Sequence, residues 1–446
     1  MNYLIQNATV VNEGRIEQRS IAIVNGRFAE SVNPAEAEVV DASGCYAIPG
    51  VIDTHVHFRD PGLTDKADMA TESRAALAGG VTSVIDMPNT IPQTISLEAL
   101  EEKEHLAADK CLVNYGFMLG ATNDNIETLI QTPVHRYAAI KLFLGSSTGN
   151  MLVNDTERLD YLFSHSKKLI VAHCEEESVI KENMAAFRQQ YEGTPEETAA
   201  LHPKIRNTAA CYLSTYRAIE RARRYGTRFH VAHISSSTEL DLLSNQSLEE
   251  KHITAEVTPN HLWFDDRDYD SLGNLIKCNP AIKSNDDRLA LWAALYDGCI
   301  DTIATDHAPH TISSKRQPYF SAPSGIPSIQ HSLQMMLEPL CSPAVMESER
   351  DELLRNWLPL LVEKMCHNPA RLFGISHRGF IRAGYHADLV LLRMGGEQTV
   401  TKDSLYYKCG WSPLEGKTFH SRIEQVFVNG RTFDGCSNAQ PLQFEK

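Results

Sequence analysis

Ala138-Ala139-Ile140-Lys141-Leu142-Phe143-Leu144 is a near-continuous apolar run with one lysine at its centre. A strand with one wet face alternates apolar and polar residues, so an unbroken run of this length reads as a strand covered on both faces, as in a parallel sheet. Seven further runs of the same kind follow one another along the chain: Val51–His55, Val81–Met87, Val113–Leu119, Lys168–His173, Arg228–His233, Ile253–Val257 and Asp301–Asp306. Amphipathic segments stand between them, among them Ala67–Ala78, Leu97–Ala108, Asn207–Arg224 and Asp286–Tyr296. Strand–helix alternation eight times over predicts an α/β protein with a (β/α)8 TIM-like barrel. A doubly wound open sheet is the alternative, but no glycine-rich phosphate loop follows the first run.

The two ends of the chain read differently. Tyr3–Val40 and Gly379–Arg431 alternate apolar and polar residues, and each carries an Asn-Gly pair where a hairpin turn is expected, at Asn25-Gly26 and Asn429-Gly430. Both termini are therefore expected to build one small β-sandwich, with residues 1–48 and 377–446 flanking a barrel over 49–376.

Composition narrows the function classes. The 446 residues carry a formal charge of −15, which disfavours a polyanion partner such as nucleic acid. No apolar stretch approaches the roughly 20 residues that a membrane helix needs. Met1–Val11 has neither a basic run nor the apolar segment of a secretion signal, and the ten cysteines form no CxxC pair. These features set the expectation of a cytoplasmic enzyme with reduced cysteines and a small-molecule substrate. A homo-oligomer is compatible with them.

In a barrel of this kind, catalytic groups sit at the C-terminal ends of the strands. His55 and His57 close the first run, His173 the fifth, His233 the sixth and Asp306 the eighth. His55 and His57 are two apart on a strand, so their imidazoles share a face and can hold one ion. Lys141 would place an ammonium in an apolar interior, which is costly unless something else uses it. Taken singly, a strand-end histidine is a core or surface residue, and His230 is read that way. Five strands delivering ligand-type residues to one mouth read as a metal site.

The run Asp53–Gly62, DTHVHFRDPG, together with VAHCEE (Val171–Glu176), HVAHISS (His230–Ser236) and ATDHAPH (Ala304–His310), resembles the amidohydrolase superfamily, and within it the class I type dihydroorotases, carboxylated-lysine branch. The likeness extends to Gly379–Leu392 and Ser412–Gly416. It implies two divalent ions, with zinc as the expected metal, sharing a bridging hydroxide. His55, His57 and Asp306 would hold one ion, His173 and His233 the other, and a carboxylated Lys141 would bridge them. Many class I relatives use an aspartate as the bridge, and Lys141 departs from those. Asp306 is implied as the base and then the acid that opens dihydroorotate to N-carbamoyl-aspartate, the third step of de novo pyrimidine synthesis.

Substrate choice is expected to fall to Arg59, Asn89, Asn279 and His310. Arg59 can grip a carboxylate with two parallel donors. Asn89 and His310 would complete a carboxylate pocket, and Asn279 would read the ring edge, with backbone contacts from Ala322–Pro327. A hydantoinase or allantoinase shares the whole ligand set, and an inactive scaffold that only binds partners is the alternative of a different class. The loop Gly145–Gly149 after the fourth run is one place from which a cover over the substrate could come.

Overall fold

The computed structural model describes residues 1–145, 151–433 and 438–445, so Ser146–Gly149 of the loop just named lie outside the described residues. The strands, in chain order, are β1 (Tyr3–Asn12), β2 (Arg15–Val24), β3 (Arg27–Ala29), β4 (Glu38–Asp41), β5 (Tyr46–Pro49), β6 (Val51–Val56), β7 (Val81–Asp86), β8 (Asn114–Phe117), β9 (Leu119–Gly120), β10 (Ile140–Phe143), β11 (Ile170–His173), β12 (Phe229–Val231), β13 (Ile253–Val257), β14 (Thr302–Ile303), β15 (Leu389–Thr399), β16 (Thr418–Val428) and β17 (Arg431–Thr432).

Strands β6 to β14 are the barrel strands, all in parallel pairs and all but wholly buried, as their apolar runs require. Helices cross over between them over the expected amphipathic segments, including Met69–Ala78, Leu97–Lys110, Thr208–Tyr225 and Asn285–Tyr296. Local chemistry fixes their starts: Asp68, Ser96, Asn207 and Ser284 each cap a free backbone N–H of the first turn.

The barrel order is present, but its ladder is not one unbroken ring. β6-β7-β8 form one sheet and β9 to β14 another. Between β8 and β9 the chain jogs at Met118, so the third run becomes two short strands, and Ala138 N–H donates to Phe117 C=O across the gap at 2.8 Å. Between β14 and β6 a side chain replaces the ladder. The Asp53 carboxylate accepts from Thr305 N–H at 3.1 Å and from Thr305 Oγ1 at 2.6 Å. One bond beyond, His57 N–H donates to His307 C=O at 2.8 Å. The eighth run therefore yields only Thr302–Ile303 as regular strand, because its C-terminal half bends inward and Asp306 takes φ +47°.

Both termini join in one eight-stranded mixed sheet in the order β17-β16-β15-β5-β1-β2-β3, with β4 on β1. The Asn-Gly pairs make the two hairpin turns, with φ of 51° and 81° at Asn25-Gly26 and 50° and 72° at Asn429-Gly430. Alternation along the strands sorts the faces. Ile5, Ile23, Leu389, Leu391 and Phe427 form the sheet's own core, whereas Ile48, Val390 and Leu392 join the barrel core. Among the described residues no helix is long and apolar enough to cross a membrane, and the cysteines are free.

Candidate active site

All ten residues singled out from the sequence line one cavity of about 940 Å³ at the strand C-termini: His55, His57, Arg59, Asn89, Lys141, His173, His233, Asn279, Asp306 and His310. Three of them, Arg59, His233 and Asp306, hold positive φ angles of 64°, 38° and 47°. Non-glycine residues rarely adopt that conformation, and its concentration at one mouth marks a site where side-chain aim outweighs backbone comfort.

His55, His57 and Asp306 form a tight group whose ligand atoms lie within 4.8 Å of one another. Asp306 Oδ1 is 3.4 Å from His55 Nε2 and 3.0 Å from His57 Nε2. Lys141 Nζ is 3.4 Å from the same His55 nitrogen, and it has no carboxylate within ion-pair distance among the described residues. Beside this group, His173 Nδ1 faces His233 Nε2 at 3.0 Å.

The outer nitrogens decide what the inner ones offer. His55 Nδ1 meets the Glu256 carboxylate, His57 Nδ1 meets Asn89 Oδ1 at 2.8 Å, and His173 Nε2 meets Glu175 Oε2 at 2.8 Å. Each partner is an oxygen acceptor, so each outer nitrogen carries the proton. The inner nitrogen then presents a lone pair to the cavity. His233 Nδ1 is buried and has no hydrogen-bond partner among the described residues. Converging imidazole lone pairs and a carboxylate oxygen are a donor set for divalent cations, and the residues present fit such a group.

Electrostatics point the same way. Burial drives the His57 imidazole down to about 4 and that of His233 well below its ordinary value, so both are neutral at physiological pH and able to offer a lone pair. Burial opposes ionisation of Asp306, and wherever His55, His57 or His233 is protonated it holds the carboxyl well below its usual range. Burial also pushes the Lys141 amine down, favouring the neutral form that reacts with carbon dioxide.

The far wall reads differently. Arg59 is buried, with Nε donating to Pro309 C=O at 3.3 Å and a terminal nitrogen donating to His310 Nε2 at 3.3 Å. It has no carboxylate partner among the described residues. His310 accepts that bond as a neutral ring, pushed down to about 2 by burial and by the Arg59 charge. Asn279 Oδ1 is buried beside the cavity and has no partner among the described residues.

Two residues here were missed by the sequence reading. Glu256, in β13, accepts from His55 and from the His233 backbone N–H at 3.3 Å and lies 3.4 Å from His230 Nε2, tying two ligand strands together. Glu175 joins His173 to a buried Arg206. The signal for Glu256 was the one that exposed Lys141, a charge inside an apolar run. Asn89 also proves to orient His57, besides lining the cavity. His230, read as a non-ligand, bonds Thr254 Oγ1 at 2.8 Å.

Residues 46–433 match the Amidohydrolase family. The chain is 33% identical over 416 residues to the dihydroorotase of Halobacterium salinarum, covering 91% of each protein. It is 27% identical over 450 residues to the allantoinase of Salmonella paratyphi B, covering 98% of this chain and 96% of that protein. Its fold matches the L-hydantoinase of Arthrobacter aurescens with a TM-score of 0.89 over 99% of both chains, at 24% identity.

Proposed function

This chain belongs to the amidohydrolase family, and from that premise we propose that it is a dihydroorotase, opening the cyclic amide of (S)-dihydroorotate to N-carbamoyl-L-aspartate and closing it in reverse. The observation that carries the choice of substrate is Arg59. A guanidinium buried beside the ligand cluster, without a carboxylate partner among the described residues, calls for an anion in the cavity. Dihydroorotate carries a ring carboxylate. Hydantoin and allantoin carry none, and would leave that charge uncompensated.

The residues then divide the work. His55, His57 and Asp306 would hold one divalent ion, and His173 and His233 a second, with zinc the expected metal. Lys141 would bridge them after its neutral amine adds to carbon dioxide, losing a proton to leave an anionic carbamate. Bound there, the ions would supply Lewis acidity, polarising the scissile carbonyl and bringing the pKa of water towards neutrality. Asp306 takes the proton from the attacking water and returns it to the ring nitrogen as the C–N bond breaks, serving as base and then acid. Arg59 grips the carboxylate, His310 holds the guanidinium and completes the pocket, Asn89 supports it while steadying His57, and Asn279 reads the ring edge.

An inactive binding scaffold is disfavoured by the same site, since nothing else requires a lysine buried among unprotonated imidazole nitrogens. The experiment is hydrolysis of dihydroorotate, hydantoin and allantoin side by side by metal-loaded protein. The highest kcat/KM is expected for dihydroorotate. Faster turnover of either uncharged ring would overturn the assignment.

A further inference from the structure

Lys315 is among the most buried lysines, 1% exposed, and no carboxylate lies within ion-pair distance of it among the described residues. Its ammonium donates instead to three backbone carbonyls, those of Lys277 at 3.0 Å, Pro323 at 3.1 Å and Gly325 at 2.9 Å. Lys277 repeats the device one layer away. Its Nζ donates to Tyr319 C=O at 2.7 Å and Ala322 C=O at 2.5 Å, and lies 4.2 Å from the Tyr319 ring centre. An ammonium satisfied only by neutral carbonyls is an expensive way to fill space, and a methionine would fill it more cheaply.

What the charge gathers is one wall of the cavity. Pro323, Ser324 and Gly325 line it, as do His310 and Asn279, two residues beyond Lys277. Gly325 N–H donates to Lys277 C=O at 2.8 Å, and a side chain at Gly325 would press to 2.3 Å from Ala308 C=O, so these segments meet without slack. Trp411 lies 5.9 Å from the Lys315 ammonium and donates its indole N–H to His310 C=O at 2.7 Å, bringing the histidine into the same assembly. We propose that Lys315, assisted by Lys277, is a positioning residue of the substrate-reading wall: its ammonium draws together the carbonyls of Lys277, Pro323 and Gly325 and so fixes Asn279, Ser324 and His310 against the substrate. The choice of probe below rests on the dihydroorotase reading.

The device is sensitive to its proton. Burial lowers the Lys315 ammonium to about 7 and that of Lys277 to about 8; the titratable groups facing Lys315 are Lys277, Cys278 and His310. A neutral amine has two N–H groups and a lone pair, so it cannot satisfy three carbonyls. The proton thus completes the set of three carbonyl bonds, against the cost that burial imposes on the charge.

The test uses full-length, metal-loaded Lys315→Met and Lys315→Gln with dihydroorotate as probe. Both should raise KM on the order of tenfold while kcat stays within about threefold and metal content is unchanged. Amide hydrogen exchange of the peptide spanning Ala308–Gly325, read without substrate, should quicken in both variants. Should Lys315→Met fail to fold, Lys315→Gln, which keeps two donors, carries the same measurements. Unchanged KM, or a loss confined to kcat or metal content, overturns the proposal. If the wild type turns over no dihydroorotate, the substrate assignment falls, and exchange alone decides Lys315: unaltered exchange overturns it.

Discussion

Arg59 concentrates the question of specificity in one side chain. Its φ of 64° and its bonds to Pro309 and His310 hold a guanidinium in place before any substrate arrives. Removing one partner of a buried charge pair costs about 2 to 5 kcal/mol, roughly thirty- to several-thousand-fold. Arg59→Met is therefore expected to lower kcat/KM for dihydroorotate by that order, leaving metal content intact and slow turnover of an uncharged cyclic imide far less affected. Equal losses on both substrates would make Arg59 structural. Glu256→Gln tests the opposite kind of residue, one that touches no substrate. Without its charge the proton on His55 Nδ1 loses its anionic acceptor, and affinity for zinc should fall about ten- to a hundredfold with the fold retained. Unaltered zinc affinity on titration would remove Glu256 from the site. The sequence exposed the inner side chains because histidines and a lysine stand out at the ends of apolar runs. It hid Glu256 and Glu175, whose meaning comes from partners on other strands. The double duty of Asn89, with His57 on one side and the cavity on the other, is likewise a fact of three dimensions.

At the scale of elements, the strands were legible and their endings were not. Apolar runs announced all eight strand positions, yet β12 stops at Val231 and β14 at Ile303, short of the histidine and aspartate that close the runs. The reason is physical. Lys141 and His173 aim inward from within the ladder, whereas His233 and Asp306 leave it and turn inward through positive φ, which residue type does not announce. The seam between β14 and β6 was equally hidden, since Asp53 substitutes there for backbone pairing. The loops that follow the first two strands are locked to each other at Gly62. It has φ +82°, and a Cβ there would lie 1.9 Å from Ile91 C=O, while Ile91 N–H donates to Pro61 C=O at 3.2 Å. One of these loops carries Arg59 and the other Asn89. Gly62→Ala is thus expected to cost at least about 1 to 3 kcal/mol of stability and to raise KM for dihydroorotate, because the loops must part to admit the methyl group. A melting temperature and KM equal to the wild type would show that this contact does not set the pocket.

For the whole molecule, charge and cavity are set against each other. The chain is acidic, at −15, yet its main cavity collects Arg59 and Lys66 on its lining with Lys315 just behind. The concave walls around Arg59 and Lys66 focus that local positive field, so an anionic substrate can be drawn in despite the net charge. Burial makes the imidazole cluster a burden when no cation is bound. Neutral imidazoles then face one another, the His233 Nδ1 atom has no partner among the described residues, and Lys141 sits fully buried beside them. Cations that bind the folded chain and not the unfolded one stabilise it by about 2.7 kcal/mol at a hundred times Kd and about 4.1 at a thousand times. In a chain of this length each kcal/mol moves the melting temperature by roughly 2 °C or less, so stripping should lower it by several degrees. Purified protein is expected to carry close to two divalent ions per chain by elemental analysis, to lose hydrolysis on chelation, and to regain both melting temperature and activity when zinc is added. Lys141→Ala should bind less metal and lose activity, with partial rescue by short carboxylic acids that stand in for the carbamate. Carbon-13 NMR after labelling with bicarbonate should show the carbamate in the wild type alone. Full activity of metal-stripped protein would refute the metal reading, whereas an unmodified Lys141 in active, metal-loaded enzyme would refute the bridge and leave the two histidine clusters standing.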